Sequence, residues 1–145
     1  MDDQKLAEAK ASLGAGMAFP IGDPNPFGQY FVGQSYLAQL TTGRVGVNNV
    51  TFEPGCRNNW HVHRADEGGG QILVCVAGRG WYQAWGEPAR LLTPGDVVNI
   101  PAGVKHWHGA VKDGWMSHLA VEVPGINAGS EWLEPVADAE YDALR

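Results

Sequence analysis

Only two of the 145 residues are cysteines, Cys56 and Cys75, too few for a disulfide framework. Positive charge is also scarce. Ten lysines and arginines face sixteen aspartates and glutamates, a net charge of −6. That balance argues against nucleic-acid and membrane partners, since both call for a clustered basic surface. No apolar run approaches the ~20 residues of a membrane span. The start, MDDQKLAEAK, is acidic and amphipathic and lacks the basic and apolar regions of a secretion signal. A reducing cytoplasm is the expected compartment. Charged residues make up only 18% and hydrophobic residues 44%, which fits a globular chain rather than a disordered one. At this length a single domain is expected, burying roughly two-thirds of its unfolded surface.

What is present is a series of short β-rich runs. They begin at Gln29 with QYFVGQSYLAQL and continue through RVGVNNVTFE, NWHVH, QILVCVA, GWYQAW, ARLL, DVVNI, HWHGAV and WMSHLAVEV. Turn signals such as GRG, GEP, TPGD, PAG and KDG separate them. Many short strands at this spacing predict an all-β, antiparallel sandwich or small barrel. Residues 1–28 form an arm: a short helix capped by Asp2 or Asp3 and stopped by Gly14 or Gly16, then FPIGDPNPFG, whose prolines and glycines rule out a regular element. Residues 29–145 form the barrel, with Asp138 expected to cap a last helical turn, AEYDALR.

The five histidines are His61, His63, His106, His108 and His118. Alternate side chains of a strand share a face, so His61 and His63 point the same way, as do His106 and His108. Two positions on a strand span ~6.6 Å, close enough for two imidazoles to converge on one ion. A lone histidine is usually a surface or hydrogen-bonded core residue. Two His-x-His pairs flanked by glycine turns point instead to a shared metal.

The surrounding residues resemble the two cupin motifs. Gly55, five residues, His61-x-His63, then Gln71, six residues and Gly78 are similar to the first. Gly95, five residues, Pro101-x-Gly103, two residues and His106 are similar to the second, with Ala110 where its non-ligating Asn is expected. The resemblance implies a jelly-roll barrel, an antiparallel double sheet with short terminal helices. It further implies one divalent metal held by His61, His63, His106 and a Glu or Gln.

Two residues compete for that fourth place. Glu67 has the right spacing from His63, whereas Gln71 has the right spacing to Gly78, so the RADEGGG loop carries an insertion. The glycines after Glu67 belong in a loop, while Gln71 opens a β-prone run that can aim its side chain, which favours Gln71. Three imidazoles and an amide would leave a divalent ion its full charge, suited to Lewis-acid chemistry rather than redox cycling. Manganese or zinc is favoured; iron, nickel and cobalt also suit such a donor set.

His108 and His118 remain as acid/base candidates, or His108 as a residue orienting a ligand. Met116, Ala120 and Glu122 share the face of His118, with Glu122 at the rim or the far end, ~13 Å along the strand. Cys75 reads as a buried hydrophobe. Trp60, Trp81, Trp85 and Trp107 are candidates for pocket or core, with Trp81 and Trp85 assigned to the core.

A narrower likeness adds to this. VTFEPG, GDVVNIP, KHWHGA and SHLAVE are similar to the small bacterial cupin-type hydroxynitrile lyases. That likeness implies lyase chemistry and places Asn48 and Val50 in the substrate pocket beside Met116 and Glu122. The signature also resembles cupins named after carboxymuconolactone decarboxylases, although no helical decarboxylase domain is present. The expected function is metal-dependent carbon–carbon bond cleavage or formation on a small molecule. A dioxygenase and a non-catalytic ligand-binding barrel are the alternatives, and small cupins of this kind are expected to be homodimers.

Overall fold

The computed structural model describes residues 1–14 and 17–145, so Gly16, the alternative helix stop, lies outside it. The chain opens with α1 (Asp3–Leu13), β1 (Asp23–Pro24), β2 (Phe31–Val32), β3 (Ser35–Gln39), β4 (Val47–Phe52) and β5 (Arg57–Asn58). It continues through β6 (His61–Arg64), β7 (Glu67–Gly68), β8 (Gln71–Gly78), β9 (Gly80–Ala84) and β10 (Arg90–Leu92). It ends with β11 (Val97–Ile100), β12 (His106–Ala110), β13 (Met116–Glu122), β14 (Gly125–Ile126), β15 (Gly129–Trp132) and α2 (Asp138–Asp142).

All pairings are antiparallel. One sheet has the order β1-β3-β4-β13-β8-β11. The other runs β10-β9-β12-β5-β2, with β6 pairing both β12 and β15. Consecutive strands pair at β3–β4 and β9–β10, while β4–β13, β5–β12 and β6–β12 join strands far apart in the chain, as in a jelly roll. The expected all-β double sheet with short terminal helices is what forms.

Local chemistry explains the ends. The Asp2 carboxylate accepts the Lys5 backbone N–H at 2.8 Å and starts α1, and Gly14, at φ 91°, stops it. Ala9 and Leu13 pack on Tyr36, Ala77 and Trp115, seating the helix against the six-stranded sheet. Asp138 does not cap α2. Its carboxylate pairs with the buried guanidinium of Arg57, a charge that needs a partner more than a solvated helix end does. The proline-rich arm is also more regular than expected. Asp23 and Pro24 pair with Leu37 and Tyr36 on the sheet edge, where the missing proline N–H breaks no ladder, and Gly28–Tyr30 forms a 3-10 turn.

The interior between the sheets has two parts. Phe52, Leu73, Cys75, Leu92, Val98, Ile100 and Met116 form an apolar core. Histidines fill the rest, and the Phe52 ring, 5.3 Å from that of His118, marks the boundary. Met116 therefore packs in the core and does not line the pocket, contrary to expectation. It keeps the inward face of His118, but two positions away along β13 and opposite Phe52 it lies on the core side of that boundary.

Candidate metal centre and its cavity

β6 and β12 are adjacent, and His61 lies directly opposite His106 across the ladder. Opposed residues on one face stand ~5 Å apart, so the register itself brings their rings together, with centroids at 4.1 Å. His63, two positions along β6, is 5.3 Å from His61 and 5.2 Å from His106. The three offer ligand nitrogens within 4.8 Å of one another.

Hydrogen bonds decide which nitrogen each ring offers. Nδ1 of His61 donates to the Asn59 carbonyl and Nδ1 of His106 to the Val104 carbonyl, both at 2.8 Å. A carbonyl only accepts, so those protons sit on Nδ1 and each Nε2 keeps a free lone pair. His63 Nδ1 meets the Ser130 hydroxyl at 3.2 Å. The Nε2 atoms of His63 and His106 and the Oε1 of Gln71 are buried without a partner. An unmet buried acceptor costs about 1–3 kcal/mol, and this cluster gathers three. Such a donor set fits a divalent transition metal.

Protons do not compete strongly for these lone pairs. Burial, then the neighbouring His106, hold His61 well below the usual histidine range. Burial lowers His106 to about 4. Burial also lowers His63, partly offset by Glu122 and by the Gln71 side chain.

Gln71 begins β8 and is only 7% exposed. Its side-chain amide donates to Glu122, which lies directly opposite on β13. Glu67 is exposed and belongs to a small ribbon, pairing with Ile126. Among the described residues it is not part of the histidine cluster. Gly70 lies between the two, at φ 97°, and a Cβ there would stand 2.3 Å from the Ile100 carbonyl oxygen. Glycine is therefore what allows the chain to turn from the ribbon into β8.

A cavity of about 290 Å³ reaches the cluster and is lined by Asn48, Val50, Glu122, His108 and His118 as well as His61 and His63. Phe31, Ser130 and Trp132 also face it. A wider depression of about 650 Å³ lies outside, sharing His63, Glu122 and Ser130 with the cavity, and the inserted loop lines it through Arg64 and Glu67. Glu122 thus stands at the mouth rather than at a remote end.

His108 and His118 are in contact, with His118 Nε2 3.0 Å from His108 Nδ1. Two nitrogens at that distance share one hydrogen, so the rings form a relay. The Asn58 amide oxygen accepts the His108 backbone N–H at 2.9 Å. Its nitrogen lies 3.1 and 3.3 Å from the two ring nitrogens, which places it over the ring and not in line with either lone pair. Burial holds His108 well below the usual histidine range and lowers His118 to about 4. Both are neutral at neutral pH.

The tryptophans follow expectation in part, with Trp81 buried as assigned and Trp85 not. Trp60, Trp81 and Trp107 form a cluster with Val111, Val136 and Tyr141 on the outer side of the seven-stranded sheet. Trp85 is 61% exposed, with the Lys105 ammonium 3.6 Å above its ring, so it is not core. The tryptophan in the cavity is Trp132, 4.7 Å from His61. β15 is a short polar strand, and only the alternation of Ser130 and Trp132 hints at it. Trp60 and Trp107 could have been placed outside from their neighbours, since each adjoins an inward-facing histidine. Cys75 is buried in the core with its thiol pushed up to about 11, as its reading as a hydrophobe requires.

Residues 48–122 match the cupin domain family, and that span holds every histidine together with Gln71 and Glu122. The chain belongs to the cupin family. This cupin is 43% identical over 93 residues to an (R)-mandelonitrile lyase from Granulicella tundricola, covering 64% of this chain and 68% of the lyase. Among solved structures, a cupin-like protein from Thermotoga maritima matches with a TM-score of 0.73 and 36% identity. That match spans 86% of this cupin and 93% of the Thermotoga chain. The DMSP lyase DddQ from Ruegeria pomeroyi shares the fold, with a TM-score of 0.57 at 18% identity over 90% of this chain and 66% of its own. No described helix of this cupin is long and apolar enough to cross a membrane.

Proposed function

We propose that this cupin is a metal-dependent lyase that breaks or forms a carbon–carbon bond in a small organic molecule, in the manner of a hydroxynitrile lyase. The observation that carries the reading is the His108–His118 relay, which opens on the same cavity as the three-histidine cluster. The 43% identity to a mandelonitrile lyase supports the reaction class.

In this reading His61, His63, His106 and Gln71 hold one divalent ion, with manganese or zinc favoured over iron, nickel or cobalt. Such an ion would supply a Lewis acid for a hydroxyl or carbonyl oxygen of the substrate. The neutral relay takes the hydroxyl proton of a cyanohydrin as the carbon–carbon bond breaks. Cyanide leaves with the bonding electrons and receives that proton, giving an aldehyde and hydrogen cyanide. Burial keeps the relay neutral with a lone pair open but lowers its basicity, so a Lewis acid on the hydroxyl oxygen would have to make that proton acidic enough to transfer. Phe31, Val50 and Trp132 give the cavity an apolar wall for an aryl or alkyl group. The protein is further proposed to be a cytoplasmic homodimer, which its elution volume at several concentrations would test.

The deciding experiment combines metal analysis of untagged protein with a panel of cyanohydrins, aldehydes and catechols. About one transition metal per chain, lost in His61→Ala and His106→Ala, together with cyanohydrin cleavage, is the expected result. Oxygen consumption with catechols in the iron form would move the assignment to a dioxygenase. No turnover, with tight binding of a small ligand, would make it a binding barrel.

A further inference from the structure

We propose that Glu122 is a positioning residue of the metal site. It holds the Gln71 amide with its oxygen turned inward and sets a negative charge one hydrogen bond behind that neutral ligand. The inference rests on the reading that Gln71 belongs to the metal site.

The backbone makes the first part of the case. Gln71 and Glu122 are directly opposed where β8 pairs β13, so the ladder brings the two side chains within reach. An ionised carboxylate only accepts hydrogen bonds, so the group facing Glu122 is the Gln71 NH2. The carbonyl end of the amide then points the other way. There it is buried and unpartnered, beside the equally unpartnered Nε2 atoms of His63 and His106. Without Glu122 the amide could turn and offer an NH2 group, which cannot ligate a cation.

The second part is electrostatic. Glu122 stands at the cavity mouth, its carboxylate one hydrogen bond from the Gln71 amide and on the same cavity that His61 and His63 line. A donor set counted as three imidazoles and a neutral amide therefore understates the negative charge near the ion. Outer partners of metal ligands commonly contribute roughly 10–100-fold in affinity.

Cobalt(II) serves as the probe, with affinity measured against a competing chelator and coordination read from its visible absorption. The wild-type protein is compared with Glu122→Gln, Glu122→Leu, Gln71→Leu and the Glu122→Leu/Gln71→Leu double variant. In Glu122→Gln the new side-chain oxygen still accepts the Gln71 NH2. Its spectrum should be retained, with affinity reduced up to about tenfold by the lost charge. In Glu122→Leu the affinity should fall by roughly 10–100-fold and the spectrum should change. The double variant should bind no more weakly than Gln71→Leu alone, because Glu122 acts through Gln71.

Wild-type affinity and spectrum in Glu122→Leu would overturn the proposal. So would a further loss in the double variant, which would make Glu122 an independent ligand. Wild-type protein that fails to bind cobalt would instead overturn the metal reading on which the proposal rests. Glu122 is exposed near the end of its strand, and unchanged thermal unfolding of the variants would confirm that the effects are local.

Discussion

Strand β12 separates two buried regions of opposite character. Its inner face carries His106 of the histidine cluster and His108 on the cavity wall, and its outer face turns Trp107 into the cluster with Trp60, Trp81 and Tyr141. His106 and Trp107 are equally inaccessible to solvent. On the outside the polar atoms of the aromatic rings Trp107 and Tyr141 are matched: the Trp107 indole N–H donates to Gln83 at 2.9 Å, and the Tyr141 hydroxyl donates to the Ala110 carbonyl at 2.6 Å. On the inside, nitrogens of His63 and His106 and the Gln71 oxygen have no partner. Burial marks both faces alike. Unmet lone pairs distinguish a place built to receive something from a place built to hold sheet and helix together.

The comparison can be broken by substitution on either face. The largest expected effect is on the inside. His118→Gln keeps a hydrogen-bonding group near His108 but cannot take up a proton, so cyanohydrin cleavage should fall by about 10²–10⁴-fold at unchanged metal content. Loss of metal together with activity would instead make His118 part of the metal's support. On the outside, Trp107→Ala should destabilise the fold by about 3–5 kcal/mol in denaturant unfolding. Metal per folded chain should stay the same. If Trp107→Ala emptied the site while the fold held, the two faces would be coupled rather than separate.

Acid separates them more finely. An unfolded imidazole titrates near 6.5, whereas burial lowers His106 and His118 to about 4. Between those values the unfolded chain binds protons that the folded chain refuses, so stability falls as the pH drops through that window. Above it these groups add no slope. At pH 5 the loss should be on the order of 2 kcal/mol for each such histidine in metal-free protein, measured as chemical stability against pH. Trp107→Ala should lower that curve without changing its slope, since the outer cluster contains no histidine. A flat profile from pH 7 to pH 5 would contradict the buried, neutral state of the histidines.

The smallest effect belongs to Trp85. It lies at the edge of the outer cluster and is mostly exposed, with Lys105 above it. Trp85→Ala should cost less than about 1 kcal/mol in the same unfolding measurement. A larger loss would mean that the outer cluster extends further than its buried members.

Much of the site could be read in advance because its signals are local. Period-2 alternation puts His61 with His63 and His106 with His108, and the glycine run after Glu67 announces a loop. Met116 was misplaced because alternation gives the face a residue shares with His118 and not its depth, which Phe52 from another strand decides. Trp132 and Ser130 escaped notice because four residues of a polar edge strand carry little pattern. Asp138 has the composition of a helix cap and is instead held by Arg57, distant in the chain.

By itself the sequence determined the main barrel strands, the turns between them and which of their side chains share a face, since each depends on neighbours within a few residues. Only the tertiary structure decided that His61 opposes His106, that Gln71 opposes Glu122 and that His118 meets His108. Those meetings depend on the register between strands that are remote in the chain. Register is set by the packing of the whole barrel and by no single stretch of it.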